Sequence, residues 1–480
     1  MFWQEEDGVD VQGLVRRFEE ERRARRLGYY TRTELEELLW YYYWGEDIPR
    51  LNEVLHHAIE LYPDWSRRRL WQCRLALLKK KPQEAFLLGM QAMEDLDSPI
   101  EAYEEIAEIC IQQRAWEKLR WAFQRMSQLS EEAEQAEAAQ ITARRLLRQG
   151  HTRQALPYLW KSWELSYPAQ RLLLVQTLVR TYHRQNQLSD GIHAFYRYLE
   201  AYPEESSLWL GLARLYARKY MIAQSEQALH QAELLLYLQD PKPHASWGYL
   251  YRTQALIAEM IGHKQEAYRF WLLAREEEPK HSLTLLRLMQ FYLQSGDFSA
   301  ALPYVRLLEK HYLSSPMVRR AVADFYWQQG NHEGALEHYR YLMQVRVGMS
   351  EAIGRVLRGA IRYQKSKLFR EGLRHARRKF RRNPSMWLRW IQESHAAGEE
   401  AAAYVLSREA VALFSRKVIP ALYYAHAALA FRRGHTSRAL SFLEQALLVS
   451  PEQVGVFYHF IGDRPLAPWV QRLLRQYEQS

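Results

Sequence analysis

Gly262-His263-Lys264-Gln265-Glu266-Ala267, Gly296-Asp297-Phe298-Ser299-Ala300-Ala301 and Gly330-Asn331-His332-Glu333-Gly334-Ala335 repeat one pattern. In each, alanine follows glycine after five residues, and the copies stand 34 residues apart within the stretch 248–347. Such a period marks one supersecondary unit that stacks on its neighbours because it cannot bury its apolar face alone. Used as a ruler, it gives twelve repeats opening at Arg32, Ser66, Ile100, Ala136, Leu172, Ser206, Gly248, Ser282, Pro316, Ile353, Pro384 and Pro420.

Four positions check the register. Position 8 is small at Cys73, Ala107, Ala143, Ala213, Ala255, Ala323, Ala360 and Ala427, and position 20 at Ala85, Ala155, Gly191, Ala267, Ala301, Ala335, Gly372, Ala403 and Ala439. Position 11 is tyrosine at Tyr42, Tyr182, Tyr216, Tyr292, Tyr326 and Tyr363. Position 32 is proline at Pro63, Pro203, Pro279, Pro384 and Pro451, which cannot continue a helix. Small residues at 8 and 20 let two helices approach closely, and the aromatic at 11 fills the gap to the next repeat. Departures are Leu51 and Leu119 at position 20, Ile391 and Ser394 at positions 8 and 11, and Lys379 at position 27 of the tenth repeat, where alanine is expected.

Trp209, Leu212, Ala213 and Tyr216 resemble the Trp-x-x-Leu-Gly-x-x-Tyr pattern of tetratricopeptide repeat proteins, with Ala in place of Gly. The resemblance covers roughly 32–453 and implies an all-α fold, a right-handed superhelical solenoid of about twelve helix–turn–helix repeats with terminal capping helices. At the N-terminus, Leu14-Val15-Arg16-Arg17-Phe18-Glu19-Glu20, Tyr29-Tyr30 and Glu34-Leu35-Glu36-Glu37-Leu38 ahead of Tyr41-Tyr42-Tyr43 look like the opening of tetratricopeptide proteins common in Bacteroidota. That likeness implies a cytoplasmic protein-interaction module.

The expected organisation is a capping segment at 1–31 and repeats 1–6 at 32–237. A loop at 238–247, with Pro241 and Pro243, is a candidate hinge; repeats 7–12 follow at 248–453 and a cap at 454–480. Val11, Leu14, Val15 and Phe18 make one apolar stripe, so the leading helix is expected at 9–26, ended by Gly28. The start carries no basic and apolar signal pattern, and no run is long enough to span a membrane. With only Cys73 and Cys110, a reduced cytoplasmic setting is expected.

Catalytic spacings are absent: there is no phosphate-binding Gly-x-x-x-x-Gly-Lys, Gly-x-Ser-x-Gly or His-Glu-x-x-His. His56 and His57 are adjacent and point about 100° apart on a helix, so they cannot share a metal. No catalytic residue, metal site or cofactor is expected, and the chain reads as no enzyme.

The resemblance implies that first helices line a concave groove through positions 2, 5, 9, 12 and 13. Positions 9 and 13, one turn apart, are both arginine in three consecutive repeats: Arg144 and Arg148, Arg180 and Arg184, Arg214 and Arg218. With His183 and Arg252 they are expected to form a ladder binding an acidic or phosphorylated segment or a polypeptide C-terminus. The plainer reading is a solvated face paired to neighbouring carboxylates. The Lys/Asn carboxylate clamp of chaperone-tail binders is not reproduced.

The tenth repeat, 353–383, carries twelve basic residues against one acidic, Glu371, so one repeat supplies the net charge of +10. Arg370, Arg374, Arg377, Arg378, Arg381 and Arg382 form a basic patch on its second helix, where nucleic acid, anionic lipid or an acidic protein could dock. Trp40, Tyr43 and Trp44 make a third feature, a cluster that would anchor a peptide if exposed at the groove entrance but is expected rather to lie under the leading helix as a cap. The leading expectation is a protein-interaction scaffold with an acidic partner in its groove. The alternative is a nucleic-acid-associated adaptor using the basic repeat.

Overall fold

The computed structural model describes residues 10–478 apart from 240, 346–348, 416, 417, 464 and 467. Residues 1–9, on which the signal-free start was read, and Asp240 of the loop lie outside the described residues. The chain divides into two compact units, Met1–Ala267 and Tyr268–Ser480.

In the N-terminal unit α1 (Val11–Arg23) precedes the pairs α2 (Arg32–Trp44) and α3 (Ile48–Leu61), α4 (Arg68–Leu78) and α5 (Pro82–Asp95), α6 (Ile100–Gln112) and α7 (Trp116–Leu129). The pairs α8 (Glu132–Arg148) and α9 (Thr152–Leu165), α10 (Pro168–Arg184) and α11 (Leu188–Ala201), α12 (Ser206–Arg218) and α13 (Ile222–Tyr237) follow, then α14 (His244–Met260). Helix α15 (Lys264–Glu277) carries the chain on. The C-terminal unit pairs α16 (Ser282–Gln294) with α17 (Phe298–Tyr312), α18 (Pro316–Gln329) with α19 (His332–Gln344) and α20 (Met349–Arg362) with α21 (Ser366–Lys379). It then pairs α22 (Pro384–Ala396) with α23 (Glu400–Leu413) and α24 (Pro420–Arg432) with α25 (Thr436–Val449), and ends in α26 (Gly455–Ile461) and α27 (Pro468–Glu478). Each first helix packs on its second, and first helices also pack on one another along a unit.

The ruler has a backbone signature. The turn inside each pair holds a residue with positive φ: Glu46, Lys80, Arg114, Gly150, Asn186, Tyr220, Gly262, Gly296, Gly330, Gln364, Gly398 and Gly434. Eleven of these lie fourteen residues after the repeat start read from sequence; the tenth does not. Gln364 places that start at Ser350 rather than Ile353. Glycine at the other turns of this unit guided the ruler, but here a non-glycine takes the same conformation, and Ala360 imitated the small position. The corrected register restores alanine at position 27, as the fully buried Ala376, and explains why Tyr363 is exposed instead of packed. Gln364 stands in the left-handed region at φ 54. Gln364→Gly is therefore expected to stabilise the α20–α21 pair by about 1 kcal/mol, since glycine has no Cβ to strain there. Slower hydrogen exchange in α20 and α21 would show it; faster exchange would contradict it.

The small positions behave as read. Ala107, Ala143, Ala213, Ala255 and Ala323 at position 8, and Ala85, Ala155, Ala301 and Ala335 at position 20, are buried, with Leu51 and Leu119 buried in the same role. Tyr42, Tyr182 and Tyr216 are buried as well, whereas Tyr292 and Tyr326 are half-buried. Helix starts follow capping chemistry: Thr31 and Glu34 form a capping box, Asp47, Asp297, Asn331 and Asn383 accept from the first turn, and Pro168, Pro316, Pro384 and Pro420 begin helices. The leading helix is shorter than expected. It closes at Ala24, with Arg25 at φ 53, and Gly28 instead donates its N–H to Glu21 at 2.8 Å.

Candidate functional site

Position 9 is arginine on α8, α10 and α12, at Arg144, Arg180 and Arg214, and α14 adds Arg252 from position 5. The structure divides them into two groups. Arg214 from α12 and Arg252 from α14 flank Tyr249 of α14, and the charges of Arg218 from α12 and Arg180 from α10 act on its phenol. The Arg214 and Arg252 guanidiniums each lie 5.8 Å from its ring centroid. Tyr249 is buried; burial holds its phenol above the ordinary range, while the charges of Arg214, Arg252, Arg218 and Arg180 pull the other way. Burial holds the Arg218 guanidinium below its ordinary value, and its buried Nε has no hydrogen-bond partner. His183 is held below its usual value by burial and by Arg218. Arg214 also donates to the Arg252 carbonyl at 3.3 Å and to Thr253 Oγ1 at 3.4 Å, which ties α12 to α14.

Arg144, Arg148 and Arg184 stay exposed and outside this group. Arg144 donates to Gln140 at 2.7 Å, and Arg180 donates to the Gln176 carbonyl at 3.1 Å. Among the described residues of this unit no carboxylate pairs with Arg144, Arg148, Arg180, Arg184 or Arg218. The carboxylates are engaged elsewhere: Glu105 takes Arg74 at 2.9 Å, Glu104 takes Arg145 at 2.6 Å and Glu205 takes Arg171 at 2.5 Å. Arg180 and Arg218 thus stand as cations without a carboxylate among the described residues of this unit, a positive charge that an incoming anion would meet.

The basic patch divides similarly. Arg355 and Arg358 belong to α20, where Arg358 is buried and donates to the Glu393 carbonyl at 3.2 Å, while Arg355 lies over Trp327. Arg362 pairs with Glu399 at 3.3 Å, and Lys365 pairs with Glu333. Arg370, Arg374, Arg377, Arg378, Arg381 and Arg382 are all exposed, and of these Arg377 meets Glu409 at 2.7 Å. Phe369 and Phe380 pack against the core of the unit.

The aromatic cluster departs from expectation. Phe18 of α1 packs on Tyr30 and Tyr42 and leaves Trp44 69% exposed. Trp40 and Tyr43 instead pack on Trp71, with Arg74 lying 4.4 Å over Trp40. The leading helix therefore covers the core tyrosines, because Tyr42 and Trp44 point to different sides of α2.

Sequence reasoning missed a groove pocket of about 620 Å³ in the C-terminal unit, lined by Leu286, Arg287, Met289, Arg320, Asp324, Glu351 and Arg355 among others. Its signal was one basic residue on each of three successive first helices, hidden because the start read at Ile353 put Arg355 out of step with Arg287 and Arg320. Arg320 is paired with Asp324 at 3.8 Å and with Glu351, so its charge is met. Cys73 and Cys110 are buried, with thiols pushed up to about 12 and about 11 by burial. Among the described residues no group of three or more His, Cys, Asp or Glu is arranged to hold a metal, and no helix is long and apolar enough to cross a membrane.

Residues 289–343 match the family model described as tetratricopeptide repeat. That stretch is a tetratricopeptide repeat segment, and the helix pairs on either side of it continue the same helix–turn–helix architecture. Arrays of such repeats present extended surfaces that serve protein interaction. No curated protein matches the sequence. Among solved structures, the C-terminal part of a tetratricopeptide repeat-containing protein from Cytophaga hutchinsonii is 12% identical, over 50% of this chain and 95% of that one, with TM-score 0.37. A human IFIT1 dimer with m7Gppp-AAAA is 14% identical, over 93% and 96%, with TM-score 0.39. A Pseudomonas aeruginosa pilF is 15% identical, over 55% and 99%, with TM-score 0.34. Such distant likenesses carry no argument about what these tetratricopeptide repeats bind.

Proposed function

We propose that the chain is a non-catalytic scaffold whose N-terminal unit takes an acidic segment of a partner protein on α10, α12 and α14. The carrying observation is that Arg214 of α12 and Arg252 of α14 flank the buried Tyr249, each guanidinium 5.8 Å from its ring centroid, while Arg180 of α10 and Arg218 of α12 have no carboxylate partner among the described residues. Arg180 is exposed with only neutral acceptors, so an incoming carboxylate gains a charge-assisted hydrogen bond without displacing an existing ion pair. Forked guanidiniums suit carboxylates in this setting better than lysine would. The same reading sets the protein in the cytoplasm, where its two buried free thiols stay reduced.

Arg180 and Arg184 are the residues to reverse, because both are exposed. Reversal at Arg214 would also break its bonds to α14 and confuse binding with packing. With a labelled Asp/Glu-rich peptide as the probe, the variant Arg180→Glu/Arg184→Glu is expected to bind about tenfold or more weakly at low salt while its helical signal stays unchanged. Equal affinity of the variant and the parent chain rules the groove out as the acidic site.

A further inference from the structure

The twelve cations of the tenth repeat are not one feature. Those on α20 are buried, stacked or paired, as described above. On α21 the residues Lys367, Arg370, Arg374, Arg377 and Arg378 recur at helical spacings, which places them on one face, and Arg381 follows in the turn just beyond the helix end. All are exposed, whereas Leu368, Gly372, Leu373 and Ala376 face the core. At about 1.5 Å per residue the row from Lys367 to Arg378 extends roughly 16 Å. Arg377 meets Glu409 and Arg370 donates to its own helix at the Ser366 carbonyl, 3.4 Å away. Among the described residues no carboxylate pairs with Arg374, Arg378, Arg381 or Arg382. The single acidic residue of the helix, Glu371, is engaged by Arg340 at 3.0 Å.

We propose that this outward face of α21 docks on the phosphate backbone of duplex nucleic acid. A duplex presents about one negative charge per 1.7 Å of axis, a linear density that a straight row of cations can meet along its length. Arginine, which supplies five of the six positions, forms forked bonds to phosphate. A protein partner needs a desolvated apolar or aromatic centre to anchor on, and this face has none. A bilayer surface favours apolar side chains that enter the headgroup region, also missing here. With Phe369 and Phe380 packed inward, no ring is offered for stacking on unpaired bases, so the surface suits a duplex and reads no sequence.

The test uses the full chain and a short random-sequence duplex, with affinity followed by fluorescence anisotropy from about 50 to 200 mM salt. Five phosphate contacts give a log–log salt slope of about −4.5. Arg374→Glu/Arg378→Glu/Arg381→Glu is expected to lose affinity by on the order of 100-fold, and its slope to shrink by about 2.7. The Gln triple at the same positions, which adds no new charge, is expected to show the same change in slope. The Arg180→Glu/Arg184→Glu chain should bind the duplex as the parent does, which separates this surface from the groove. No binding at about 50 mM salt overturns the proposal. Unchanged affinity in both triple variants also overturns it, as does binding to phosphatidylserine vesicles through the same arginines without duplex binding.

Discussion

Trp390→Ala is expected to cost about 4 kcal/mol, the range measured when a large buried aromatic is truncated. Trp390 is 1% exposed, and its indole N–H donates to the Ser350 carbonyl at 2.9 Å. Its ring meets Phe380 and Trp387 edge-on, both at 5.4 Å between centroids. Gly354 on α20 leaves the space it fills: a Cβ there would come within 2.7 Å of the indole. Truncation therefore opens a cavity between α20 and α22 and strips a carbonyl of its donor. Because each repeat contacts only its neighbours, the loss should be local. Hydrogen exchange should quicken in α20–α24 and stay unchanged in α4–α9. A loss under about 1 kcal/mol would contradict this packing account.

The second large effect is with pH. His426 on α24 is 1% exposed, bonded through Nδ1 to Ser407 at 2.9 Å, stacked on Tyr404 and edge-on to Phe442. Burial, helped by Arg438 and Arg408, lowers its pKa from 6.5 to about 4. The folded chain thus keeps this ring neutral where the unfolded chain protonates it. Stability is full above pH 6.5 and is lost as pH falls toward about 4, by roughly 3 kcal/mol from this residue alone. His332, His338 and His395 in the same unit are lowered too, chiefly by burial, and add losses of the same sign. The check is the stability of α22–α25 at pH 7 and pH 4.5 by hydrogen exchange, in the parent chain and in His426→Gln. The glutamine variant should lose less on acidification; an equal loss would show that His426 is not the group being titrated.

Most of the fold was legible because a 34-residue period leaves small residues and a left-handed turn at fixed places. The reading slipped at repeat 10, where Gln364 takes the turn usually given to glycine, and only the backbone reveals that. The arginine positions were legible as a row of equals. Their division was not, since it depends on Tyr249 and on which carboxylates are already occupied, such as Glu104 by Arg145 and Glu105 by Arg74. Those pairs join residues 41 and 31 apart in sequence, spacings that no single repeat register encodes. The aromatic cluster failed for a related reason: Trp71, which receives Trp40, lies one repeat further on.

The central claim is that the groove of the N-terminal unit receives an acidic segment beside Tyr249. The most direct measurement is a hydrogen-exchange footprint of the full chain with and without a saturating Asp/Glu-rich peptide. Protection should rise on α10, α12 and α14, centred on Arg180, Arg214 and Tyr249, and that footprint should vanish in Arg180→Glu/Arg184→Glu. Protection confined to α21 or spread over second helices, with α10, α12 and α14 unchanged, would contradict it.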